Sequence, residues 1–488
     1  MALRSSRRDF SRRQFLGAST ALSASAALVG GLTIAQSANV TGSDQIKVAL
    51  VGSGGRGSGA IRDRAQVGDN YKIVAVADAF ERPARGAADA LRQGATDAAS
   101  PLHHKVDLPE DQVFWGLDSY KKAIDCLNPG DQILLVTPPG FRPYQYRAAI
   151  EKGLHVFMEK PVCIDAPGFR HIMETNEMAD AKNLKVCVGF GGRYDARNVN
   201  WVDQIHAGKI GDIQYTRGYY NIDEIWCRRR TPGQGETDFQ VWNWYHFVWL
   251  CGENIVEQHV HRIDMMNWIH SKGDRLAHPI SANGMGGRLI KTGREELLRQ
   301  APSFNDHRQA WDEWYQQYRN DFFRHGQAWD AFFVEYAYAD GSRSYTQCRH
   351  IKNVWNHGGV YVHGTAGSGT SGVLLGRDDA QIWRNTESYP KSSMQWEHDC
   401  LVDAIRNDKP MNAGYSSAMS SMKAVLGREA AYSGRTLQWD DLVARGKSYF
   451  PDGEITSFDQ KAPVQPDANG FYESSVPVPG VYDPFAAR

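Results

Sequence analysis

The segment VEQHVHRID, residues 256–264, brings Glu257, His259, His261 and Asp264 together within nine positions. In a strand, Glu257, His259 and His261 would share one face, because side chains alternate with period two, and three such groups form a permissible metal set. In a helix, Glu257 and His261 are neighbours at i and i+4, with Asp264 a turn further on. That arrangement suits proton transfer, since an unperturbed imidazole titrates near neutrality. No H-E-x-x-H pattern and no cysteine partner supports the metal reading, so no metal is assigned, and His259 is read as a hydrogen-bonded wall residue.

A second group lies near the N-terminus. VGSGGRG carries Gly52, Gly54 and Gly57 at G-x-G-x-x-G spacing, and KIVAVAD ends on Asp78. The glycines follow a predicted strand and open a predicted helix, the setting in which such a turn cradles a dinucleotide pyrophosphate. Gly52 permits the tight turn, Gly54 lets the backbone approach the anion and Gly57 lets helix and sheet pack closely; Gly55 and Arg56 complete the turn. The helix N-terminus then faces the phosphates. Asp78 would accept ribose hydroxyls and repel a 2′-phosphate, which favours NAD over NADP, a preference that nearby Arg82 weakens. Further along, Thr137-Pro138 and Glu159-Lys160-Pro161 each follow an apolar run, and Lys160 offers an ammonium for an oxygen that gains charge.

Positioning these residues requires a sheet. IKVALVGSGG, KIVAVAD, QILLVTPP, LHVFMEKP and LKVCVGFGG are short, apolar and without polar alternation, as strands buried on both faces should be. Helical stretches at 142–153 and 168–183 separate the last of them, so the N-terminal part is predicted to be a doubly wound α/β Rossmann domain. Beyond residue 210 alternating strands and hairpins take over, at 212–221, 332–350 and 358–367, predicting an α+β domain with a large, mostly antiparallel open sheet. The expected layout is a signal at 1–40, a dinucleotide-binding domain at 45–165, a substrate and oligomerisation domain at 166–448, and a Pro- and Gly-rich arm running over the surface at 449–488.

A chain of 488 residues exceeds one hydrophobic core. Its 42% apolar and 23% charged residues are those of a folded globular protein, and a net charge of −1 with no basic block after residue 13 argues against nucleic acid. SRRQFLG followed by a weakly apolar Ala-, Ser- and Gly-rich run resembles a twin-arginine export signal built on Arg12 and Arg13, too polar for a retained membrane anchor. Periplasmic or similar export follows as the expected location. The seven cysteines are scattered, and no disulfide or zinc site is assigned.

In their order, Gly52 to Gly57, Asp78, Thr137-Pro138, Glu159-Lys160-Pro161 and the 257–264 segment resemble the Gfo/Idh/MocA oxidoreductases, nicotinamide-dependent enzymes acting mostly on sugars and cyclitols. The resemblance implies that Lys160 sits beside the nicotinamide, that His261 transfers the proton, that the Lys160-Pro161 bond is cis and that the open sheet makes a homo-oligomer, dimer or tetramer. Glu257 stands where the family has an aspartate. Arg193, Tyr194, Trp244 and His259 are candidate substrate contacts, aromatics being platforms for sugar rings. The expected function is an exported NAD-dependent oxidoreductase of a sugar or glycoside, with C3 the favoured carbinol. Away from the cytoplasmic NAD supply the cofactor must be tightly held and recycled. The alternatives are an NAD-dependent glycoside hydrolase working by oxidation, elimination, hydration and re-reduction, and a cofactor-retaining binding protein without turnover.

Overall fold

The computed structural model describes residues 45–486, apart from 224, 227, 229, 289–301, 304, 305, 319–325, 452 and 469–471. The proposed export signal therefore lies outside the described residues. No helix among the described residues is long and apolar enough to cross a membrane.

Six parallel strands form the first sheet: β1 (Ile46–Val51), β2 (Tyr71–Asp78), β3 (Val113–Trp115), β4 (Gln132–Leu135), β5 (His155–Met158) and β6 (Val186–Val188). Their order is β3-β2-β1-β4-β5-β6. The order reverses between β1 and β4, and open α/β sheets bind ligands in the crevice at such a switch point, outside the carboxyl ends of the strands. The strands are buried on both faces; Val48, Ala49, Leu50, Ile133, Leu134, Val156 and Phe157 have no exposed surface, which explains their unbroken apolar runs. The sheet continues past residue 165 to Val188, and its last strand extends the domain by one helix, Ala166–Ala181, capped by the Asp165 carboxylate accepting from Gly168 N.

The second sheet has nine strands: β7 (Ile213–Ile222), β8 (Ser281–Gly287), β9 (Ala331–Ala337), β10 (Arg343–His350), β11 (His357–Gly364), β12 (Gly367–Thr370), β13 (Val373–Gly376), β14 (Gln381–Arg384) and β15 (Leu437–Gln438). They run in the order β14-β13-β12-β11-β7-β10-β9-β8-β15. All pairs are antiparallel except β7 with β10. The α/β class, with a Rossmann sheet followed by a mostly antiparallel one, is as the sequence predicts. One face of the second sheet packs against the helices Val260–Ser271 and Gly414–Ser433, the latter buried along almost its whole length. The C-terminal arm differs from the expectation of a strand of chain lying on the surface. Phe450, Ile455 and Tyr472 are buried, in a cluster with Phe141, Val241 and Trp249.

Candidate active site

The glycine turn shows why its residues are glycines. Gly52 has φ +87°, and a Cβ there would lie 2.6 Å from the Val136 carbonyl carbon; a Cβ on Gly57 would lie 1.8 Å from the Gly52 oxygen. A Cβ on Gly54 or Gly55 would meet nothing within 4 Å, so the turn presents open space. Asp78 ends β2 and is already oriented: its carboxylate accepts from Ser53 N at 2.7 Å, the Ser53 hydroxyl at 3.2 Å and Phe80 N at 3.0 Å. Burial raises its pKa, against those hydrogen bonds. A cleft lies at these strand ends, bordered by Val51, Asp78, Gly116, Thr137, Pro138 and Val241. Turn, acid and cleft fit a dinucleotide. Arg82 is exposed on the first turn of the helix Glu81–Thr96.

Arg56 does not reach into this space. Its Nε donates to Glu159 at 2.5 Å, and its guanidinium also meets Asp63 at 3.4 Å and Glu397 at 3.6 Å. Glu159 is thereby committed to Arg56 and serves the site by fixing the start of Glu159-Lys160-Pro161 to the glycine turn. Glu397, on the helix Ser393–Arg406, carried no signal in the sequence; burial and neighbouring Glu159 raise its pKa well above the usual range.

Lys160 follows β5, and its bond to Pro161 is cis, as the resemblance implies. The ammonium donates to the Glu257 carbonyl at 2.6 Å and to both carboxylate oxygens at 3.1 and 3.2 Å. The segment 256–264 is helical but broken: one turn, Asn254–Glu257, ends before a second helix, Val260–Ser271. Glu257 therefore clamps Lys160 and makes no bond to His261, in place of the role suggested by i, i+4 spacing. Burial raises the Glu257 pKa and Lys160 opposes the rise. The short turn begins at Glu253, a buried residue held at φ 92°, whose carboxylate accepts from Trp329 N at 2.6 Å and the Tyr432 hydroxyl at 2.5 Å. A non-glycine residue persists in this conformation only when its surroundings over-determine it, so Glu253 is an anchor that spacing did not reveal.

His261 occupies the first turn of the second helix, with Phe190 edge-on at 6.0 Å. Its ring nitrogens make no hydrogen bond among the described residues. Burial first, then Lys160, Arg262 and Arg56, push its pKa well below the usual 6.5, in place of the unperturbed titration expected from sequence. The imidazole is neutral at ordinary pH, the form that accepts a proton.

The four candidate substrate contacts are placed differently. His259 is wholly buried and bonded through Nε2 to Thr346 on β10, so it faces the sheet. Arg193 is held by Asp264 at 2.8 to 3.1 Å, and Asp264 also accepts from Ser420 at 2.7 Å. Tyr194 turns its hydroxyl to the Cys187 thiol at 3.3 Å, and Trp244 packs among Trp226 and Tyr245. His259, Arg193 and Tyr194 each have a side-chain polar partner in the protein, and Trp244 has aromatic neighbours. Among the described residues no three His, Cys, Asp or Glu side chains converge to hold a metal.

Residues 46–190 match the model of the Gfo/Idh/MocA oxidoreductase family, NAD-binding Rossmann fold. An inositol 2-dehydrogenase of Corynebacterium glutamicum is 27% identical over 172 residues, 34% of this chain and 47% of the relative. That of Salmonella typhimurium is 25% identical over 229 residues, 46% of this chain and 54% of the relative. The chain thus spans about half the length of the curated relatives it matches. Among solved structures, the scyllo-inositol dehydrogenase of Lactobacillus casei with NAD(H) and scyllo-inositol superposes with a TM-score of 0.53 at 17% identity, covering 81% of this chain and 99% of the other. The aldose-aldose oxidoreductase of Caulobacter crescentus with glycerol gives 0.56 at 13% identity, with the same coverages. At these identities the structures speak for the fold. Residues 46–190 are thus similar to the NAD-binding Rossmann domain of the Gfo/Idh/MocA oxidoreductases, and the two-sheet architecture is the fold of the solved dehydrogenases.

Proposed function

We propose that the protein oxidises a ring carbinol of a sugar or glycoside, C3 favoured, with NAD preferred over NADP and held tightly enough to be recycled in place. The observation that carries this reading is the pairing of a clamped ammonium, Lys160 on Glu257, with the unbonded neutral imidazole of His261, at the same end of the strands as the glycine turn and Asp78. When bound, NAD supplies the acceptor for the hydride. The side chains handle the rest. Lys160 donates to the carbinol oxygen and stabilises its developing negative charge. Glu257 holds that ammonium in place. His261 takes the hydroxyl proton on a free ring nitrogen.

The names of the relatives, dehydrogenases of cyclic polyols, support a polyhydroxylated ring as substrate. Arg12 and Arg13 support export, and export without a fresh NAD supply supports retention of the cofactor. The outer face of the nine-stranded sheet supports a homo-oligomer, dimer or tetramer. The test is to incubate the purified protein with sugars, cyclitols and glycosides and identify the products by mass spectrometry. A keto-sugar is the expected product. A freed aglycone without net oxidation would assign the redox-neutral elimination and hydration route instead. Bound nucleotide with no product from any of these classes would favour the binding protein.

A further inference from the structure

The dinucleotide cleft has a wall that the Rossmann sheet does not supply. Val241, on the short helix Glu236–Trp242, lines it opposite the strand ends. That helix is tied to the C-terminal arm: the Thr237 hydroxyl donates to the Gln460 carbonyl at 2.5 Å, Gln240 to the Val464 carbonyl at 2.6 Å and the Tyr472 hydroxyl to Glu236 at 2.5 Å.

The arm in turn grips three of the βα turns that rim the cleft. After β2, Phe80 stacks on Phe458 at 5.2 Å and meets Trp242 edge-on at 4.8 Å, two residues beyond Asp78. After β3, Lys121 pairs with Glu454 at 2.5 Å, next to cleft-lining Tyr120. After β4, cleft-lining Phe141 packs against Phe450 at 5.5 Å. Gly140 in that last turn has no room for a side chain, since a Cβ would lie 2.3 Å from the Trp249 carbonyl oxygen and 3.2 Å from the Phe450 ring. Three separate turns, each of which lines the cleft, are thus bound to one strap of chain that the nucleotide-binding fold does not need for its own sheet.

We propose that the helix Glu236–Trp242, held down by residues 450–464, is a fourth wall of the dinucleotide cleft. It encloses the adenosine end of the nucleotide, so that release of the strap limits nucleotide exchange. This rests on the reading of the cleft as an NAD site and supplies the means of retention which that reading requires. Aromatic contacts and an ion pair on the far side of Phe80 and Tyr120 act on the rate of escape without touching the glycine turn, Asp78 or the catalytic pair, and differences of this kind appear mainly in dissociation.

The test uses the full chain loaded with radiolabelled NAD and chased with unlabelled NAD, release being read by filter binding, with thermal melting to verify that each variant is folded. Phe458→Ala removes the stack on Phe80 and should speed release by about tenfold. Lys121→Met, at an exposed pair and therefore mild for folding, should speed it by about two- to fivefold. Faster release in the folded variants supports the strap. Wild-type release rates in Lys121→Met and in a folded Phe458→Ala overturn it while leaving the NAD site standing, and so does a wild type that exchanges its nucleotide within the mixing time. A wild type that takes up no labelled NAD and releases no nucleotide on denaturation withdraws the NAD site and the strap together.

Discussion

As the proton acceptor proposed above, His261 makes a definite demand on pH through its environment. Because its pKa in the folded protein is lowered, the neutral, proton-accepting form persists at acidities where an ordinary histidine is charged. The acid limb of kcat/KM for oxidation should therefore fall below pH 6.5; a limb at or above that value would remove His261 as the base. His261→Ala should lose about 10²- to 10⁴-fold in activity while keeping its nucleotide. At Asp78 the oriented carboxylate predicts that Asp78→Ala weakens NAD binding and narrows the gap to NADP, as titration with both nucleotides would show; unchanged affinities would take Asp78 out of the ribose site. Spacing along the chain was enough to single out Gly52, Gly57 and Asp78, and the family resemblance added Lys160 and His261. It did not give their partners. Glu257 looked like a companion of His261 because they are four residues apart, but the helix breaks between them and the carboxylate turns to Lys160, 97 residues away. Arg193 and Asp264 pair across 71 residues for the same reason: tertiary partners leave no period in a sequence.

The element that joins sheet and helices most tightly is the helix Gly414–Ser433, and it holds a lysine that makes no ion pair among the described residues. Lys423 is fully buried, donating to the Tyr338 hydroxyl at 2.6 Å and reaching Ser344 at 3.4 Å. Burial lowers its pKa from the usual 10.5 to about 7. Between those two values the unfolded chain keeps a proton that the folded chain has released, so stability rises with pH across that window. Below about pH 7 both states are protonated and the cost of the buried charge stands in full. The expected contribution is up to about 1.4 kcal/mol per pH unit. Denaturant unfolding of wild type and Lys423→Met from pH 7 to 10 should show this slope in the wild type alone; parallel curves would contradict it. The elements themselves were largely legible, since buried strands read as apolar runs and the β9–β10 hairpin as alternation around Ala-Asp-Gly-Ser. The parallel pairing of β7 with β10 was not, because alternation sets which face a residue takes and says nothing of the direction of a neighbouring strand.

At the scale of the whole molecule, two surfaces matter: the strap over the cleft and the uncovered face of the second sheet. Composition alone marked the arm as surface chain, because Pro and Gly signal irregular backbone without saying what its few aromatics will cover. Across the sheet, Met285, Phe333, Gln347 and Tyr219 stand opposite one another on successive strands. Met285 is 68% and Phe333 43% exposed in the single chain. In the proposed homo-oligomer, these exposed apolar side chains are the contact between copies. Sedimentation velocity should find the wild type as a dimer or tetramer and Phe333→Glu dissociated toward monomer; a monomeric wild type would contradict the assignment. Hydride removal paired with proton transfer to His261 is tested in a single turnover. NAD-loaded wild type and His261→Ala are mixed with the substrate that the product screen identifies, and reduced-nicotinamide fluorescence is followed through a single turnover. A burst of one equivalent per chain is expected in the wild type, slowed by about 10²- to 10⁴-fold in the variant with its bound nucleotide unchanged. A burst of equal rate in both proteins, or a wild type that reduces no bound NAD while converting the substrate, would contradict it.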